Sequence, residues 1–113
     1  MTLKGKAVVV HLQSPREKFW GILRQIEPAG ALVEGVDAEM FESWARETAR
    51  REDEAPPASV VFFPAARIEK ILLDRSSRLV PSLEDRFRRL VGRSLASHLG
   101  RGGAVRTFRP RKI

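Results

Sequence analysis

The stretch SVVFFPAARIEKILLD, residues 59–74, decides how the chain is read. Four bulky apolar residues, Val60 to Phe63, run up to Pro64, and a mixed apolar and charged run follows and ends at Asp74. Proline has no amide hydrogen to give to a ladder, so the two halves read as short strands joined by a tight corner at Pro64. SVVFF shows no polar alternation, which predicts a strand buried on both faces. RIEKILLD reads as the strand that follows the corner, the fifth of the chain.

The other strands lie upstream. In KAVVVHLQ (residues 6–13), Val8, Val10 and Leu12 alternate with Ala7, Val9 and His11, the period of a strand whose two faces are both partly covered. Ser14 and Pro15 mark a turn. KFWGILRQI (residues 18–26) predicts a second strand, and Gly21 in its middle signals a bend or a close backbone approach. EPAG makes a compact loop in which Gly30 can take the positive φ of a hairpin corner, and ALVEGV (residues 31–36) is the third strand.

The period then changes. In DAEMFESWARETARR (residues 37–51), Phe41, Trp44, Ala45 and Thr48 fall at i, i+3, i+4 and i+7, one face of a helix. Asp37 is its N-cap, with Val36 and Phe41 placed as a hydrophobic staple. Glu42 with Arg46, and Glu47 with Arg51, add i to i+4 pairs. The helix is expected to cap one end of the sheet, and REDEAPPA (residues 51–58) to be a mobile acidic, proline-rich loop. RSSRLVP (residues 75–81) is a connector. Ser82 caps a helix through SLEDRFRRLVGRSLASHLG, with Gly100 as its stop. Leu83, Phe87, Leu90, Val91 and Ser94 form its inner stripe, and Arg86, Arg89 and Arg93 line its outer face. RGGAVRTFRPRKI (residues 101–113) has no periodicity and reads as a flexible tail.

At 113 residues the chain is long enough for one core, and 42% hydrophobic with 31% charged residues is a globular balance. Without cysteine there are no disulfides or thiolate metal sites, and a reducing cytoplasm is the expected setting. No run approaches the roughly 20 apolar residues that span a bilayer, and the first fifteen residues do not form a signal peptide, so no membrane role is expected. The net charge is +7, and its position is informative. Residues 1–80 hold twelve basic and twelve acidic side chains, so the excess lies in residues 81–113, with nine and two. A neutral body with a cationic arm suits nucleic acid or an acidic partner.

Motifs for chemistry are lacking. There is no GxSxG, Walker loop or HExxH. His11 is a lone histidine on a half-buried strand and reads as structural, and Trp20 and Trp44 sit on apolar stripes and read as core. Glu52, Asp53 and Glu54 read as a solvated cluster. GRGG (residues 100–103) opens no helix and cradles no phosphate. No catalytic residue, cofactor or metal is expected. The nucleic-acid-binding candidates are Arg86, Arg89, Arg93, Arg101, Arg106, Arg109, Arg111 and Lys112, a basic stripe entering a tail, with Phe108 able to stack beside a base.

Residues 7–73 resemble the Sm-like RNA-binding family. Val8, Val10 and Leu12 match its first-strand apolar positions, Gly21 to Leu23 its Gly-x-Leu, Glu27 its acidic position, and Ile68 with Ile71 the apolar pair closing its second motif. The resemblance implies a small five-stranded antiparallel SH3-like barrel and a tendency to form rings. The base-contacting Asn is replaced by Ala31, and FFPAA stands in place of the second motif's Arg-Gly, so the family's RNA pocket is not implied. QIEPAGALV (residues 25–33) resembles the strand-turn-strand of PilZ domains at Gly30 and its apolar flanks, but Gln25 and Glu27 replace the residues that contact cyclic dinucleotide. PREKFWG, FFPAARIEKILLDR and PSLEDRF together have the look of an uncharacterised bacterial family.

The sequence therefore predicts a mainly β, α+β fold. Residues 1–80 form a small barrel with a helical insert and acidic loop at 37–58, and residues 81–113 a C-terminal helix and basic tail. The expected function is a non-enzymatic binding or regulatory module, homo-oligomeric, contacting RNA or DNA through the basic end. The alternative is a protein interaction scaffold that uses helix 37–52 or an open strand edge and binds no nucleic acid.

Overall fold

The computed structural model describes residues 2–51 and 56–101, the last of these by its backbone alone. Its strands are β1 (Ala7–Leu12), β2 (Glu17–Glu27), β3 (Gly30–Asp37), β4 (Ser59–Pro64) and β5 (Ile68–Leu73). They form one antiparallel sheet in the order β4-β3-β2-β1-β5. A 3-10 turn at Ala38–Met40 leads into α1 (Phe41–Arg50), and another at Ala65–Arg67 joins β4 to β5. Helices α2 (Leu83–Val91) and α3 (Leu95–Arg101) follow. The edge strands β4 and β5 share no ladder among the described residues, so the sheet is not closed into a barrel by hydrogen bonds.

Strand alternation sorts the side chains onto two faces, and both are buried. On one face, Val8, Val10, Leu12, Phe19, Leu23, Ala31, Val33 and Phe63 form a core against which Val61, Ile68 and Ile71 pack. Phe63 of β4 and Ile71 of β5 come from opposite edges, and the Phe63 ring meets Phe19 edge-on at 5.1 Å, so the sheet curls around this face. Two glycines permit the curl. Gly21 pairs with Gly35 across β2 and β3. A Cβ at Gly35 would stand 1.9 Å from the Trp20 carbonyl oxygen, and one at Gly21 would stand 2.3 Å from that of Glu34. Gly21 thus marks the close approach that the sequence predicts, and Gly35 is its partner.

The convex face carries Trp20 and Ile22, covered by Phe41, Trp44 and Ala45 of α1, Phe87 of α2, and Leu95 and Leu99 of α3. Burying each such large side chain contributes about 1.5–3 kcal/mol. The Trp20 ring meets Phe41 edge-on at 5.0 Å, and Trp44 stacks on Phe87 at 5.4 Å. Both tryptophans are core residues, as expected. The face of α1 is the one the period gives: Phe41, Trp44, Ala45 and Thr48 are its buried residues. The helix lies with α2 and α3 against this face of the sheet rather than across an end, because its aromatic residues pair with Trp20.

Three further expectations are corrected. β4 is an edge strand with one buried residue, Phe63, and not a strand buried on both faces. The expected single C-terminal helix is two: Gly92, at φ 91°, ends α2, and Ser94 Oγ accepts from the Ser97 amide at 3.0 Å to begin α3. Ser94 is therefore a cap and not part of an inner stripe. The connector before α2 is organised around Asp74. Its Oδ2 accepts from the Trp20 indole N–H at 2.9 Å and the Glu84 amide at 2.8 Å, and its Oδ1 from the Leu83 amide at 3.2 Å. Ser82 Oγ accepts from the Asp85 amide at 2.9 Å, the expected N-cap.

Candidate interaction surface

The arginines named from the sequence do not form one free stripe. Arg86 leans onto α1, donating to Glu42 and standing 5.2 Å from the Phe41 ring centroid, a cation-π contact. Arg93 lies beyond the end of α2, where its guanidinium donates to His98 Nδ1 at 2.8 Å and its Nε is buried without a hydrogen-bond partner among the described residues. The break at Gly92 takes Arg93 out of register with Arg86 and Arg89, which corrects the expected alignment. Arg89 is exposed and makes no ion pair among the described residues. Arg88, not singled out from the sequence, is also exposed and pairs with Glu84 at 3.0 Å. Arg101 ends α3, while Arg106, Phe108, Arg109, Arg111 and Lys112 lie outside the described residues, as does the acidic cluster 52–54.

On α1 the acidic side chains are engaged within the fold. Glu42 pairs with Arg46 at 2.9 Å as well as with Arg86, and Glu47 pairs with Arg51 and Arg50. Hydrogen bonds from Arg51 and then Arg50 hold the Glu47 carboxyl below its usual range.

The edges of the sheet differ in chemistry. β5 carries Glu69 and Lys70, both exposed, the charges that usually protect an edge from added strands. β4 carries no charge, and its Val60 and Phe62 side chains are 57% and 47% exposed. The Ala65 amide donates to the Ala29 carbonyl at 2.8 Å, just beyond the pairing of Pro64 with Gly30. Alternation from that bond turns the backbone groups of Val61 and Phe63 toward β3 and those of Val60 and Phe62 outward. No strand of the described residues pairs with that outer edge.

Near the start of β4 an apolar groove of about 560 Å³ opens beside α1, walled by Phe19, Val36, Met40, Trp44, Pro56 and Val61. Asp37 and Glu47 also line it, the first accepting from the Glu39 amide at 2.9 Å and the second paired with Arg50 and Arg51. A third exposed apolar feature is the tip of the connector, where Leu79 is 92% and Val80 65% exposed. The tip is held in shape: the Ser77 amide donates to the Val80 carbonyl at 2.9 Å and the Val80 amide to Ser77 Oγ at 3.0 Å. Ser76 Oγ accepts from the Ser82 amide at 2.8 Å.

His11 lines a cleft of about 350 Å³ with Arg16, Glu17, Lys18, Glu39 and Glu69. Burial, then the charges of Lys18 and Lys70, lower its pKa below 6.5, against the opposing pull of Glu69. The imidazole is thus held neutral near neutral pH. Among the described residues no group of three or more His, Asp or Glu is placed to hold a metal ion, and no helix is long and apolar enough to cross a membrane. Comparison with family models, with curated proteins and with solved structures finds no match.

Proposed function

We propose that the chain is a non-enzymatic protein-binding module that accepts an extended segment of another protein along the outer edge of β4. The observation that carries this reading is the pairing of an unprotected backbone edge with two exposed apolar side chains, Val60 and Phe62, on the one edge strand without a charge. A segment added there gains main-chain hydrogen bonds from Val60 and Phe62, while their side chains give it an apolar surface to read. The scaffold is read as a small barrel of the Sm-like type. What supports this is that Val8, Val10, Leu12, Ile68 and Ile71, which carry the resemblance, lie together in the concave core beside Gly21. A reducing cytoplasmic setting belongs to the same reading, on the ground of a cysteine-free sequence.

Nucleic-acid contact through the basic end is the second reading, favoured by the exposure of Arg88 and Arg89 on α2. It is weaker, because Arg86 and Arg93 are already held by Glu42 and His98.

Selection of displayed random peptides against the full chain separates the two. Strand addition expects extended binders whose affinity falls about tenfold or more with Phe62→Lys, and slow amide exchange at Val60 and Phe62 only in the complex. Binders indifferent to Phe62→Lys refute it. Retention on short RNA that weakens steeply with salt, and is lost on replacing Arg88 and Arg89, would establish the second reading instead.

A further inference from the structure

The outer margin of β4 is complementary to itself. No charged side chain stands between Glu54 and Arg67, the longest such run in a chain of which 31% is charged, and its described part, residues 56–66, has Val61 at its centre. β4 bonds to β3 through the backbone of Val61 and Phe63, so Val60 and Phe62, one residue either side of Val61, hold the outward main-chain groups. An antiparallel copy of the strand, related by a two-fold axis at Val61, meets these groups in register. Val60 of each copy stands opposite Phe62 of the other, and each such pair exchanges both main-chain hydrogen bonds. Opposite residues of antiparallel strands share a face, so each exposed valine is covered by the other copy's phenylalanine, an aromatic and β-branched pairing that stabilises sheets. On the concave face the partly buried Val61 meets its own equivalent.

We propose that a second copy of this chain is the strand that β4 accepts, in a two-fold dimer whose β4 strands run antiparallel about Val61. The dimer rests on the reading of β4 as an acceptor edge and names its occupant. Two observations select a second copy over a free peptide. The partner strand is already ordered by its own β3, so it loses none of the conformational entropy that an unfolded segment gives up on pairing. It is also matched along the whole run, since the two ends of residues 56–66 fall on each other and no like charges are brought together. β5, with Glu69 and Lys70, stays outside, so the two sheets become one that is bounded at both ends by a charged strand, and assembly stops at two copies. Two strands of this length meet over less than the roughly 1,200 Å² of a stable interface, so the dimer dissociates on dilution. A foreign segment at β4 competes with the second copy, and its binding is coupled to dissociation of the dimer.

The cysteine-free chain lets the axis be located by crosslinking. Directly opposed residues of a non-hydrogen-bonded pair lie about 4.5 Å apart at Cα, within disulfide range, and this is the place of Val61. The Val60 residues of the two copies are offset by two residues of strand, beyond that range. Val61→Cys is therefore expected to form its homodisulfide under mild oxidation about tenfold faster than Val60→Cys, although Val60 is the more exposed. Sedimentation of the wild type is expected to pass from monomer to dimer mass between micromolar and millimolar protein with no larger species. Phe62→Lys and Val60→Lys are each expected to hold the monomer mass with an unchanged circular dichroism spectrum. Equal crosslinking of the two cysteine variants overturns the proposal, as does a wild-type mass independent of concentration, a mass that climbs past the dimer, or a dimer that both lysine variants keep. The peptide selection shows which reading has failed. A monomeric wild type whose selected binders depend on Phe62 overturns the second copy and keeps β4 as an acceptor edge, and one whose binders ignore Phe62 overturns both.

Discussion

Replacing Asp74 with alanine removes a carboxylate that ties the sheet to the helical layer. Three donors lose their acceptor: the Trp20 indole and the amides of Leu83 and Glu84. The indole is the costly one, because Trp20 is fully buried and its N–H has no other acceptor among the described residues. An orphaned buried donor costs about 1–3 kcal/mol. Losing the acceptor at the start of α2 adds about 1 kcal/mol, limited because Ser82 still caps the Asp85 amide. The sum of about 2–4 kcal/mol is a large share of a domain stability of about 5–15 kcal/mol, and at this chain length it lowers Tm by about 8–16 °C. Urea unfolding followed by tryptophan emission in a Trp44→Phe background measures it at Trp20. The same substitution in a Trp20→Phe background should cost less by about 1–3 kcal/mol, since no indole donor is left to orphan. An Asp74→Ala variant within about 0.5 kcal/mol of the wild type, or equal costs in both backgrounds, would refute the assignment of Asp74 as the tie.

Gly35→Ala would place a Cβ against the Trp20 carbonyl and the Gly21 backbone, so the strands must separate; a loss of about 3 kcal/mol or more is expected, read by urea unfolding. Gly92→Ala meets no neighbouring atom, so its cost comes only from the left-handed backbone at φ 91°, about 1–2 kcal/mol by thermal melting. His11 has a folded pKa below its unfolded 6.5, so the unfolded chain binds the extra proton. Its contribution therefore destabilises the fold as pH falls from 6.5 through the depressed value, and His11→Gln should show a shallower fall in Tm across that window than the wild type.

Where the sequence was legible, the signal was local. The i, i+3, i+4, i+7 spacing of Phe41, Trp44, Ala45 and Thr48 marks the buried face of α1, and the alternation of Val8, Val10 and Leu12 marks the inner face of β1. Gly21 could be read as a close approach, although its partner Gly35 sits in another strand and is fixed only by register. The burial of β4 was misread because an unbroken apolar run looks the same in a central and an edge strand, and sheet position is set by distant pairing. Gly92, Arg93 and Ser94 do carry a local stop-and-start signal, a left-handed residue and then a cap, but Gly100 is an equally good stop by sequence alone. Arg86 finds Glu42 across 44 residues of chain, and Asp74 finds Trp20 across 54; no local pattern announces such partners. The groove and the connector tip were missed for a similar reason. The exposure of Leu79 was hidden in a segment that looked like plain connector, and the groove walls come from β2, β3, β4 and α1 together.

The unequal margins of the sheet bear directly on the proposed strand addition. With Glu69 and Lys70 along β5 and only uncharged side chains along β4, hydrogen-bonded extension is favoured on one flank alone. Under the proposed strand addition the fold supplies a single acceptor flank, and whether the sheet grows further is set by the outer edge of the guest and not by β5.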